Sequence, residues 1–256
     1  MKIKPPSPMN AFDRVRETEV WKSIFRPGSI FRKGYEDTQR DRALAAMNNF
    51  VYHLHPVRVK RHGLKLTYTF CLGGLSFFLF VLLAVTGIFL MFFYRPAASE
   101  ASAVAYSDMQ NIMTTVYFGN LVRGVHRWSA HLMVFTVALH MARVFYTGAY
   151  KPPREFNWVI GVILLFLTLG LSFTGYLLPW DQLSLWAVSV GTSLGGYAPF
   201  VAKQANFILL GGAIVGPNTL MRWYVLHVIA LPFVIVIFMG VHFWRIRKDG
   251  GISGPL

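Results

Sequence analysis

Apolar residues dominate four long stretches of the chain, Leu66–Tyr94, Leu121–Tyr146, Asn157–Leu178 and Met221–Trp244. Each is long enough to cross a hydrocarbon core, which takes about 20 residues of helix. Only helices or closed barrels satisfy their backbone polar groups in lipid, and runs this apolar do not alternate as barrel strands do. The pattern predicts an all-α fold, an integral membrane four-helix bundle spanning residues 63–256. Residues 1–62 read differently, as a polar, basic extension. Within it Glu36–Leu54 alternates charged and apolar residues, which fits either an amphipathic helix on the membrane surface or a partly ordered tail. No apolar core of a signal peptide follows the basic start.

Composition agrees with a membrane protein. Of 256 residues, 54% are hydrophobic and only 14% charged, with a net charge of +14. Such a charge invites a nucleic-acid reading, but its distribution argues against one. Residues 1–66 hold 14 Lys/Arg against 6 Asp/Glu. Arg143, Lys151 and Arg154 follow between the second and third spans, and Arg245, Arg247 and Lys248 follow the fourth. With four spans all these segments lie on one side, so both termini are expected on the cytoplasmic, negative side. The basic surface then meets anionic headgroups, and no nucleic-acid partner is expected. Cys71 stands alone, which excludes an internal disulfide and any cysteine-built zinc site.

The histidines carry the chemistry. His126 and His140 lie fourteen residues apart in the second span, and His227 and His242 fifteen apart in the fourth. At 100° per residue those spacings return to within roughly 40° and 60° of one face, at depths about 21–22 Å apart. The second and fourth spans run in the same direction, so His126 can face His227 and His140 can face His242. Two bis-histidine sites stacked across a bilayer are what two hemes b require. A single buried histidine usually only hydrogen-bonds a neighbour. Four at matched depths are harder to dismiss, because ionisable groups in lipid are costly and usually functional. His131 points about 140° away from His126 and should not ligate. His53, His55 and His62 fall in the polar N-terminal region, where a solvated role is expected.

Glycines and arginines follow the same spacing. Gly73 and Gly87 in the first span, and Gly161 and Gly175 in the third, are again fourteen apart. Missing side chains at those positions leave room for a porphyrin edge, although glycine also serves plain helix packing in membranes. Arg123 stands one turn before His126 and Arg143 one turn after His140, well placed for heme propionates. Snorkelling at helix ends is the ordinary alternative.

These residues sit in motifs that resemble the cytochrome b family. GNLVRGVHRWSAH opens the second span, GYLLPWDQ follows the third, WYVLH opens the fourth, and RIRKDGGISGPL ends the chain. From about Leu66 to Leu256 the chain is similar to the N-terminal, four-helix half of cytochrome b. That half exists as a separate chain in b6f-type complexes and in menaquinol–cytochrome c reductases. The resemblance places the family's heme ligands on His126, His140, His227 and His242. It also gives Cys71, in TFCLGG, a thioether bond to a third heme of the c-n type, where composition alone reads a small hydrophobe. It sets Arg247 beside that heme and the negative-side quinone, and sets Tyr176, Pro179 and Trp180 against the quinol-oxidation site.

The implied activity is quinol–cytochrome c (or plastocyanin) oxidoreduction by a proton-translocating Q-cycle. The glutamate of the family's PEWY motif is absent, so a C-terminal cytochrome b half, resembling subunit IV, is expected as partner. A Rieske iron–sulfur protein, a c-type cytochrome, bound quinone, membrane lipid and dimerisation of the complex are expected as well. The divergent N-terminus favours a bacterial cytoplasmic membrane over a thylakoid. The competing readings are the di-heme anchor of another oxidoreductase, which has no reason to carry PWDQ or TFCLGG, and a non-redox transporter or scaffold.

Overall fold

The computed structural model describes residues 10–18, 21, 38–39, 41–43, 61, 65–98, 104–197, 202–212, 214–249 and 251. The chain divides into two compact units, Met1–Val59 and Lys60–Leu256. In the first, α1 (Ala11–Arg16) is opened by Asn10, whose side chain accepts from the Asp13 amide at 2.9 Å. Most of the proposed amphipathic segment Glu36–Leu54, with His53, His55 and His62, lies outside the described residues.

In the second unit every regular element among the described residues is a helix. A short α2 (Leu66–Thr69) leads to α3 (Leu72–Met91), then α4 (Val104–Thr114), α5 (Gly119–Tyr146), α6 (Glu155–Leu177), α7 (Gln182–Gly195), α8 (Ala202–Leu210) and α9 (Pro217–Val225). A π-turn at Leu226–Ala230 joins α9 to α10 (Leu231–Lys248). Four helical stretches are long and apolar enough to span a membrane: α3, α5, α6 and the continuous α9–α10.

The first span begins later than the hydropathy suggests. Phe70 and Cys71 both adopt left-handed backbone angles, φ 49° and 52°, which ends α2 and starts α3 afresh. The connections between spans also contain helices that hydropathy alone does not mark. In α4 the buried face is Ala105, Asp108 and Ile112, and in α7 it is Ser184, Val188 and Thr192. Both sets recur at one helical face. Asp108 is buried and holds Arg95 through two side-chain contacts, Nη2 at 2.6 Å and Nε at 2.8 Å. This pairs the end of α3 with α4, beside a cluster of Tyr94, Ala105, Ile112, Trp180 and Leu220.

The bundle is turned inside out relative to a soluble protein. Phe78, Val85, Phe135, Phe166 and Phe233 face outward, whereas Thr86, Ser129, Thr136, Thr168 and Thr174 are buried. Lipid gives apolar side chains no reason to hide, so small and hydroxyl-bearing residues take the helix contacts. Between α3 and α5, Ser76 Oγ bonds Thr136 Oγ1 at 3.1 Å. An edge-to-face pair, Phe77 with Phe243, links α3 to α10.

Candidate functional site

The four span histidines meet in two pairs. His126 of α5 faces His227 of the π-turn with ring centres 6.4 Å apart and planes at 70°. His140 of α5 faces His242 of α10, again at 6.4 Å, with planes at 80°. Metal–imidazole bonds of about 2.0–2.1 Å, plus about 1.1 Å from nitrogen to ring centre, put two axial imidazoles on one ion roughly 6.3 Å apart. Both gaps therefore fit a single metal ion on a line between the rings. Among the described residues no three His, Cys, Asp or Glu converge on such an ion. Two axial nitrogens with nothing equatorial suit a metal that arrives inside a flat macrocycle.

The π-turn explains the unequal spacing of the histidines. An i→i+5 turn absorbs one more residue than an α-turn. Fifteen residues from His227 to His242 thus take the phase of fourteen, matching His126 to His140 on α5. Pro232 gives the turn its cause, since it has no N–H to donate and crowds the carbonyl four residues back.

Each histidine stands opposite one of the spaced glycines. A Cβ built on Gly175 lies 2.6 Å from His227 Cε1, on Gly73 3.2 Å from His140 Cε1, on Gly87 3.3 Å from His126 Cε1, and on Gly161 4.0 Å from His242 Cε1. The nearest atoms are those of the imidazoles. The glycines clear space for these imidazole rings.

Two hydroxyl contacts were not anticipated. Thr86 Oγ1 lies 2.8 Å from His126 Nδ1, and Thr174 Oγ1 lies 3.0 Å from His227 Nδ1. Each threonine immediately precedes a site glycine, so the repeated Thr-Gly dipeptide was the available signal.

The arginines lie partly inside the bundle. Arg123 has only thioether sulfur as hydrogen-bond acceptor among the described contacts, Met109 Sδ at 2.9 Å and Met113 Sδ at 3.2 Å. Arg143 Nε donates to the Tyr68 carbonyl at 3.1 Å, its guanidinium covers the Tyr68 ring, and its Nη2 is buried without a hydrogen-bond partner among the described residues. A buried guanidinium N–H with no acceptor fits an anionic group that completes it. Cys71 is exposed at the start of α3, two residues before Gly73 and so at the His140 end. Tyr176 is half exposed, Pro179 partly so, and Trp180 is buried at φ 51° in the cluster with Tyr94 and Leu220. Arg247 is partly buried near the end of α10. His131 is exposed and lies against Trp128, away from both pairs.

Four membrane helices presenting facing imidazoles at two depths define the architecture of a membrane-embedded b-type cytochrome. Comparison with known proteins agrees. Residues 58–250 match the family described as Cytochrome b/b6/petB, and the chain belongs to that family. Cytochrome b6 of Heliomicrobium gestii is 46% identical over 202 residues, covering 79% of this chain and 91% of its own. Cytochrome b6 of Porphyra purpurea is 46% identical over 187 residues, 73% of this chain and 85% of its own. A chain of a solved hyperthermophilic respiratory Complex III superposes with a TM-score of 0.67 at 28% identity, over 86% of this chain. The present chain spans 55% of that one.

Proposed function

We propose that His126 with His227, and His140 with His242, are the axial ligands of two hemes b through which this chain carries electrons between the two membrane surfaces. The chain is a cytochrome b subunit of a quinol–cytochrome c or plastocyanin oxidoreductase, an integral membrane electron-transfer subunit of a multi-subunit complex. The ligand assignment rests on one observation, the identical 6.4 Å separation of the two imidazole pairs.

Bound iron porphyrin supplies reversible one-electron chemistry that no side chain here provides. The chain's own residues do the rest. The four imidazoles fix where each iron lies, Gly73, Gly87, Gly161 and Gly175 leave room for the rings, and Arg123 and Arg143 offer charge to propionates at opposite ends of α5. Cys71 Sγ is the atom for a thioether to a third, c-n type heme beside the His140–His242 pair. Its exposure, and its place two residues before Gly73, support that role. Arg247 belongs to the quinone-reducing side there. At the other end Tyr176 and Pro179 line the quinol-oxidising side, with Trp180 packed behind them as support.

The basic residues Arg143, Lys151, Arg154, Arg245, Arg247 and Lys248 support termini on the cytoplasmic, negative side, and the membrane proposed is a bacterial one. The likeness to cytochrome b6 chains supports a C-terminal cytochrome b half as partner. A Rieske protein and a c-type cytochrome complete the proposed assembly, as a dimer.

The test counts heme. Acid–acetone extraction of the complex should release two hemes per chain, and denaturing electrophoresis should leave one on the polypeptide. His126→Ala should remove one extractable heme; a full complement in that variant would refute the ligand assignment.

A further inference from the structure

The two histidine pairs differ in what holds their outer nitrogens. Thr86 Oγ1 lies 2.7 Å from the Leu82 carbonyl and 2.8 Å from His126 Nδ1. A hydroxyl has one proton, and the close carbonyl takes it. The contact with Nδ1 must then run the other way, with His126 Nδ1–H donating to the threonine oxygen. Thr174 likewise stands between the Leu171 carbonyl at 3.1 Å and His227 Nδ1 at 3.0 Å; with Nε2 reserved for the metal of the proposed site, Nδ1 carries the proton and donates there too. Both threonines are buried, at 8% and 2% exposure, so water does not compete for these bonds. With Nδ1 protonated, Nε2 of each ring keeps its lone pair for a metal.

The other pair lacks this device. Leu72 precedes Gly73 and Ile160 precedes Gly161, so no hydroxyl stands at the equivalent positions. His242 Nδ1 is buried and, among the described residues, meets no hydroxyl; the group beside it is the backbone at Asn157. Two sites with the same ring separation thus differ in their supporting shell.

We propose that Thr86 and Thr174 are positioning residues that fix the tautomer and orientation of His126 and His227 and lower the reduction potential of the heme held there. This rests on the ligand assignment above. An imidazole whose Nδ1–H is hydrogen-bonded is a more basic, more electron-donating ligand. The bond also strengthens as the ring gains positive character, which it does more on the oxidised metal. Both effects favour the oxidised state. The pair at His140 and His242 has no such hydroxyl, so the effect is confined to the heme held by His126 and His227.

The experiment is an optical redox titration of the assembled complex carrying Thr86→Val or Thr174→Val. Serine at each position is the rescue. Thr168→Val is the control, a buried threonine whose hydroxyl bonds only the Leu164 carbonyl of its own helix at 2.8 Å. Each valine variant should raise the midpoint of the His126–His227 heme and leave the other in place. A tenfold change in the oxidised-to-reduced ratio is about 59 mV for a one-electron couple; the expected shift is of that order, restored by serine and absent in the control. If valine expels this heme, its return with serine supports the role, and its continued absence overturns it. An unmoved midpoint with heme retained, or equal shifts of both hemes, also overturns it. Those results would leave the ligand assignment standing; retention of both hemes by His126→Ala would instead remove the assignment itself.

Discussion

Replacing Gly175 with alanine adds one methyl group at the most crowded point of the bundle. The new Cβ would lie 2.6 Å from His227 Cε1 and 3.2 Å from both ring nitrogens, where ordinary contact begins at 3.4 Å. The ring must therefore retreat by about 0.8 Å, which is the difference of those two distances. It is not free to do so, because Thr174 holds Nδ1 at 3.0 Å and the opposite direction leads toward His126. Overpacking of this kind costs about 1–3 kcal/mol. Applied to the ligand ring, that weakens heme retention by about 5- to 150-fold.

Gly161→Ala is the matched comparison, since its Cβ would stand 4.0 Å from His242 Cε1 and needs no movement. Gly73→Ala and Gly87→Ala, at 3.2 and 3.3 Å, should fall between. The assay is the rate at which a heme-scavenging apoprotein strips each center of the purified complex, followed optically. Equal losses from Gly175→Ala and Gly161→Ala would refute the reasoning, because glycines serving a porphyrin edge alone would behave alike.

Helix phase gives a second prediction. Deleting Ile229 together with Pro232→Ala should let the π-turn relax to α-helix and keep both hemes, whereas deleting Val236 should swing His242 by about 100° and lose the heme at His140; heme per chain decides. A third concerns acid. The hydrogen bonds from Arg95 hold the Asp108 carboxyl below its usual range. Its folded-state pKa is depressed, so the stabilisation is present above the unfolded value of about 3.9 and fades as pH falls through the lower folded value. Asp108→Asn should lower the thermal midpoint at neutral pH, with the gap to the parent closing only below about pH 4.

Much of this architecture was legible in the sequence because lipid writes a long, simple signal. The four spans, their order and the pairing of His126 with His227 and His140 with His242 follow from hydropathy, direction and pitch. What escaped was set by side-chain detail. The αL pair Phe70–Cys71 breaks an apolar run that hydropathy reads as continuous. The fifteen-residue spacing looked like a poorer match than fourteen, until Pro232 and the π-turn restored its phase. Thr86 and Thr174 were not singled out, because periodicity ranks a buried hydroxyl with its apolar neighbours. The helices α4 and α7 were missed because their buried faces are short and partly polar.

Each imidazole pair draws one ring from α5 and one from the last span. Neither center exists while the chain is being threaded into the membrane through its first three helices. On the proposed ligand assignment the second span carries half of each heme site, and the fourth supplies the other half of both. Heme capture is therefore a check on the completed chain. A polypeptide truncated before Met221 has no partner ring to offer, and the stabilisation that the proposed ligation would add is withheld from it. Quality control acting on colourless chains would discard incomplete molecules without any need to recognise their ends.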